Sequence, residues 1–136
     1  MRAVLDANVL ISAILSPRGT LARLLLAWQA GAFDLVVSPL LLAEVRRALA
    51  YPKLERRVPP ADADAFVDWL GRSAKLADDP SGPSQVRSDD PGDDYLVALA
   101  AAERAVLVSG DVHLTSLASR MPVRTPAEFI SELGGE

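Results

Sequence analysis

Apolar positions along the chain alternate between short continuous runs and helical spacing, which predicts strands and helices in alternation. Residues 2–6 form a buried-strand run, and residues 8–15 a short helix that stops near Pro17 and Gly19. Thr20 is placed to cap a helix running to about Ala30, with Gly31 to end it. Residues 33–37 are a second strand. Ser38-Pro39 then opens a helix to about Ala50, proline being suited to the first turn, and Tyr51-Pro52 breaks it. After a short basic segment, a helix is predicted over roughly 60–73 and a short strand over 74–77. Pro80, Gly82, Pro83, Pro91 and Gly92 mark 78–92 as loop. A helix over about 93–104, a clear strand at Ala105–Val108 and a short helix from Asp111 to about Ser119 follow. Val123–Thr125 is an edge strand, and Pro126 starts the last helix. Alternation of this kind implies an α/β fold: a parallel sheet covered on both faces, with ligands beyond the carboxyl ends of its strands.

The 136 residues fit one domain over 1–136, and half of them are apolar, enough for a sizeable core. With no cysteine, neither disulfides nor thiolate metal sites are available. No charged segment precedes an apolar one at the start, and no apolar run reaches the roughly 20 residues of a membrane span, so a soluble, cytoplasmic protein is expected. A net charge of −4 argues mildly against a simple nucleic-acid binder. It leaves room for acids gathered in one pocket and neutralised by cations. Phosphate-binding loops, dinucleotide fingerprints and the serine nucleophile elbow are missing, and one histidine without cysteine nearly excludes nucleophilic triads.

The chemistry then rests on where the acids fall. Asp6 ends the first strand and Asp111 follows the late one, so both belong at the carboxyl edge of the sheet. Each could equally be the cap of the next helix. At about 100° per residue, Glu44 shares a face with Leu41, Val45 and Ala48. A carboxylate there is costly unless it is paired, with Arg47 or Arg23, or bound to metal. Asp93 aligns with Leu96, Val97 and Ala100, the centre of its helix's apolar stripe, whereas Asp94 lies to the side with Ala98 and Ala101. Asp90 to Asp93 also has the form of a capping box with Asp90 as N-cap. Four carboxylates converging on one sheet edge repel one another unless divalent cations resolve the conflict, and all-oxygen ligands suit Mg²⁺ or Mn²⁺.

These residues carry a resemblance to the PIN-domain family. Asp6-Ala-Asn8, Ser38-Pro39 with Glu44, Asp90-Pro-Gly-Asp93-Asp94-Tyr95 and Val108-Ser109-Gly-Asp111-Val-His113 resemble its four motifs, in order and over nearly the whole chain. The nearest likeness is to bacterial toxins of toxin–antitoxin systems related to the VapC group. The resemblance implies a three-layer α/β/α domain with a central parallel sheet of four to five strands. It implies a ribonuclease that uses Mg²⁺ or Mn²⁺ to cleave RNA, inhibited by a small antitoxin, and a homodimer. By motif position Asp6, Glu44, Asp93 and Asp111 are the metal-holding, catalytic quartet. Asn8, Ser12 and Ser109 would orient ligands or water, and Asp94 is either solvated or an outer partner of the metal-holding acids. Many VapC-like proteins carry a further acid where this chain has His113, which is either a ligand or base, or a packing or capping residue.

Arg46, Arg47, Lys53, Arg56 and Arg57 form a basic stretch that would either hold RNA phosphates or make a solvated face, with Arg18 and Arg23 as further basic positions. Leu21 to Trp28 is apolar enough for core or for a dimer or antitoxin surface, and Trp69 is read as packing. Two other functions compete with the enzyme. One is a receiver-like module with an acidic Mg²⁺ pocket, although the lysine such modules need after a late strand is missing. The other is an inactive PIN scaffold that binds metal and a partner for regulation.

Overall fold

The computed structural model describes residues 1–81 and 91–134. Strands β1 (Arg2–Leu5), β2 (Asp34–Val37), β3 (Lys75–Leu76), β4 (Val106–Val108) and β5 (Val123–Arg124) pair in the order β3-β2-β1-β4-β5, every pair parallel. Ala3 to Leu5, Val36, Val37, Leu107 and Val108 are fully buried, which is why the central strands read as continuous apolar runs: both faces are covered.

The helices are α1 (Ala7–Leu15), α2 (Ala22–Gln29), α3 (Pro39–Leu49), α4 (Pro52–Glu55), α5 (Pro60–Ser73), α6 (Asp94–Glu103), α7 (Val112–Thr115) and α8 (Pro126–Leu133). From β1 the chain steps outward through β2 to β3, then returns across the sheet to β4 and on to β5. Right-handed crossovers in opposite directions place their helices on opposite faces. In agreement, α3 packs on both α1 and α5, while α6 lies on β1 and β4. The order reverses between β1 and β4, so the crevice of this sheet opens at the carboxyl ends of those two strands.

Local chemistry explains most helix ends. Ser38 caps α3 by accepting the Leu41 N–H, and Pro39 occupies its first turn. Thr125 and Glu128 complete a reciprocal capping box on α8. Gly31, at φ 86°, follows α2 in the left-handed conformation that glycine adopts without penalty.

Three expectations change. Thr20 does not cap α2: the cap position is Leu21, with no side-chain hydrogen bond, and Thr20 contributes only its carbonyl to the Arg23 N–H. The basic segment after Tyr51 holds a further helical turn, α4, started by Pro52. The helix after Asp111 closes at Thr115, well short of Ser119. Most of the 78–92 loop, and Asp90 as a cap, lie outside the described residues. Among the described residues no helix is long and apolar enough to cross a membrane.

The core runs through the sheet into both helical layers and includes Phe129 of α8, whose ring meets Phe33 edge-on at 5.1 Å. On α2, Leu24 is fully buried, Leu25 and Trp28 pack against the core and Leu26 is exposed. Trp69 stacks obliquely on Trp28 at 5.1 Å and lies 6.0 Å from Phe66, which is a packing role.

Candidate metal centre

Register brings the first contacts together. Leu5 pairs with Val108, so the next residues along each strand, Asp6 and Ser109, emerge side by side at the carboxyl edge. Asp6 is buried and does two jobs. Its Oδ1 accepts the Val9 N–H at 2.8 Å and caps α1, while its Oδ2 accepts the Ser109 hydroxyl. The fully buried Ser109 oxygen in turn accepts the Asp111 N–H at 2.9 Å, and Asp111 caps α7 by accepting the His113 N–H. One hydroxyl thus ties the two strand-end acids into a single arrangement. Capping and convergence on the crevice, alternatives in the sequence, coexist at both positions.

Asp6, Asn8, Glu44, Asp93, Tyr95 and Asp111 line one cavity of about 80 Å³ at this crevice, together with Ala7, Gly92 and Leu96. The four carboxylates come from separate stretches of chain: the end of β1, the second turn of α3, the turn Pro91–Asp93 before α6, and the segment after β4. Asp93 sits beneath the buried stripe of Leu96, Val97 and Ala100, while Asp94, on the flank with exposed Ala101, does not line the cavity. Glu44 is at the edge of its stripe and forms an ion pair with Arg47 three residues on, while still lining the cavity. Ser12 is partly buried on α1 and His113 is exposed on α7; neither lines the cavity.

Burial pushes the Asp6 carboxyl above its ordinary range, against the pull of the Ser109 and Val9 hydrogen bonds, and the charge of Asp111 adds to the rise. Tyr95 also lines the cavity, although its motif alone did not single it out. Burial first, then the charges of Glu44, Asp93, Asp6 and Asp79, raise its phenol well above the ordinary value. Its position two residues beyond Asp93, on the turn that faces the crevice, was the available signal. Asp79, just beyond β3, was also passed over; its carboxylate accepts the Leu40 N–H at 2.9 Å in the first turn of α3.

The donor set fits a hard divalent cation: all oxygen, anionic, and electrostatically strained without one. Among the described residues no three acidic side chains form a ready-made cage for one ion. Mg²⁺ does not require one, since it keeps several waters and takes one or two carboxylates directly.

Arg47 meets the cavity through Glu44, while the rest of the basic stretch does not line it. Arg46 reaches Asp64 and Asp68 of α5 at 3.7 and 3.4 Å, and Arg57 donates to the Leu15 carbonyl at 3.1 Å. Lys53 and Arg56 are exposed and form no ion pair among the described residues.

Residues 2–113 match the family model described as PIN domain. A chain of the crystal structure of VapBC2 from Rickettsia felis bound to a DNA fragment from their promoter superposes with a TM-score of 0.65 at 15% identity, covering 92% of this chain and 98% of that one. At that identity the likeness is one of fold. Comparison with curated protein sequences finds no match.

Proposed function

Because this chain belongs to the PIN domain family, a match that spans residues 2–113, we propose that it is a ribonuclease that depends on Mg²⁺ or Mn²⁺. The observation that carries this reading is the convergence of Asp6, Glu44, Asp93 and Asp111 on one cavity at the switch point of a parallel sheet. Asp6 and Asp111 are the fixed half of the set. Each is held by backbone N–H groups or by Ser109, and each carboxylate keeps lone pairs beyond the bonds it accepts. Glu44 is the adjustable member, because exchanging Arg47 for a cation frees its carboxylate. When bound, the divalent ion supplies charge neutralisation and an acidified water for attack on phosphorus. Asn8 and Ser109 orient the acids and their surroundings, while Ser12, Asp94 and His113 lie further out.

The same reading makes the chain the toxin of a toxin–antitoxin pair, with a small protein antitoxin, an RNA substrate, a cytoplasmic setting and a homodimer as its consequences. The fold it shares with the VapBC2 chain supports this. The test is cleavage of several RNA classes by purified protein with Mg²⁺ or Mn²⁺, with and without EDTA, beside Asp6→Asn and Asp93→Asn. Chelation and either substitution should abolish cutting while circular dichroism stays that of the parent. Cutting at the parental rate by both variants would remove the assignment, and tight capture of a neighbouring small protein with no metal-dependent cutting would make the chain an inactive scaffold.

A further inference from the structure

An acidic cavity that accepts a phosphodiester faces a second problem besides holding cations. The phosphate oxygens are acceptors, and four of the six polar side chains around this cavity are carboxylates, which are acceptors too. Asp6, Glu44, Asp93 and Asp111 present only oxygen lone pairs when ionised. Ala7, Gly92 and Leu96 contribute no polar side chain. Two lining residues can donate a hydrogen bond from a side chain: Asn8, which is exposed on α1, and Tyr95 in the first turn of α6.

Tyr95 is the better placed of the two. Its ring packs against the core beside Leu96 and is only partly exposed, so it is held in place before any ligand arrives. Among the described residues no group hydrogen-bonds its hydroxyl. A donor so placed costs little to engage, because the ring's freedom is already restricted by packing. Building on the ribonuclease reading, we propose that the Tyr95 hydroxyl donates a hydrogen bond to a non-bridging oxygen of the RNA phosphodiester in the acidic cavity and so fixes the substrate against the carboxylates.

Tyr95→Phe removes the hydroxyl and keeps the ring. A hydrogen bond made equally to bound substrate and transition state appears in KM rather than kcat. Bonds to charged groups are strong enough to make the expected rise in KM about tenfold or more, with kcat within about threefold. The thermal midpoint should stay within about 2 °C of the parent, since among the described residues no partner loses a bond. Steady-state cleavage of one RNA in saturating Mn²⁺ is to be measured for the parent, Tyr95→Phe, Tyr95→Leu and Asp6→Asn. A KM within twofold of the parent for Tyr95→Phe overturns the proposal. If only Tyr95→Leu raises KM, the ring acts by stacking or packing, and the donor role is equally overturned. An active parent with an inactive Asp6→Asn keeps the ribonuclease reading whichever way Tyr95 falls. A parent that cuts no RNA removes both.

Discussion

Replacing Ser109 by alanine tests the link that joins the two strand-end acids. The hydroxyl is fully buried, donates to Asp6 and accepts the Asp111 N–H at 2.9 Å. A hydrogen bond to a charged partner contributes about 1.5–3 kcal/mol and one between neutral groups about 0.5–1.5 kcal/mol. Alanine fits the space and replaces neither bond, so the variant should lose about 2–4 kcal/mol. For a domain of this size each kcal/mol moves the thermal midpoint by about 3–5 °C, so the fall should be of the order of 10 °C. Ser38→Ala is the internal comparison: it removes one neutral capping bond, Leu41 N–H to Ser38 at 3.3 Å, and should cost about 1 kcal/mol. Urea unfolding at pH 8 in EDTA gives both numbers. Because much of the Ser109 effect runs through Asp6, a cycle with Asp6→Asn should show about 1–2 kcal/mol of coupling. A Ser109→Ala variant within about 0.5 kcal/mol of the parent, or effects that simply add, would refute the reasoning.

Asp6 itself sets a pH dependence. Burial raises its carboxyl in the folded chain, so the stability this group contributes is complete below the unfolded value of 3.8 and is lost as pH rises through the folded one. Urea midpoints of the metal-free parent should therefore decline more between pH 4 and pH 8 than those of Asp6→Asn; parallel curves would contradict this. Mn²⁺ at about 100 times its dissociation constant should stabilise the parent by about 2.7 kcal/mol and leave Asp6→Asn nearly unmoved, as a thermal shift assay would show. Arg47→Ala removes the exposed partner of Glu44, so stability should change by less than about 1 kcal/mol while Mn²⁺ binds at least as tightly by calorimetry. Phe129→Ala empties a fully buried site against Phe33 and should cost about 3–5 kcal/mol by urea unfolding.

Most of the fold was legible because its determinants are local and strong. Continuous apolar runs mark strands buried on both faces, and Ser38-Pro39 and Gly31 mark helix ends through backbone chemistry that needs no tertiary partner. Thr20 failed as a cap because a residue type suited to capping says nothing of whether the backbone takes the required extended shape; Leu21 in the cap position is helical instead. The convergence of the four acids on one cavity was legible by a different route. Strand ends fix Asp6 and Asp111, and helical phase fixes Asp93. Glu44 lies at the margin of its stripe, where phase alone could not choose between Arg47 and the cavity, and the structure shows contact with both. Tyr95 and Asp79 stayed hidden for a third reason. Asp93 beside Tyr95 was a local signal, but the other neighbours, Glu44 and Asp6 for Tyr95 and the α3 N-terminus for Asp79, are distant in the chain, and no window along the sequence contains them.

Both margins of the sheet are only two residues long, Lys75–Leu76 on one side and Val123–Arg124 on the other, and each carries a basic side chain. Such stubs offer an incoming strand almost no ladder to extend, and a cation must be desolvated to try. Polymerisation by strand addition is therefore disfavoured at the native edges. An association made through helix surfaces would instead be written in side chains, which can be retuned one residue at a time without disturbing the backbone pairing beneath.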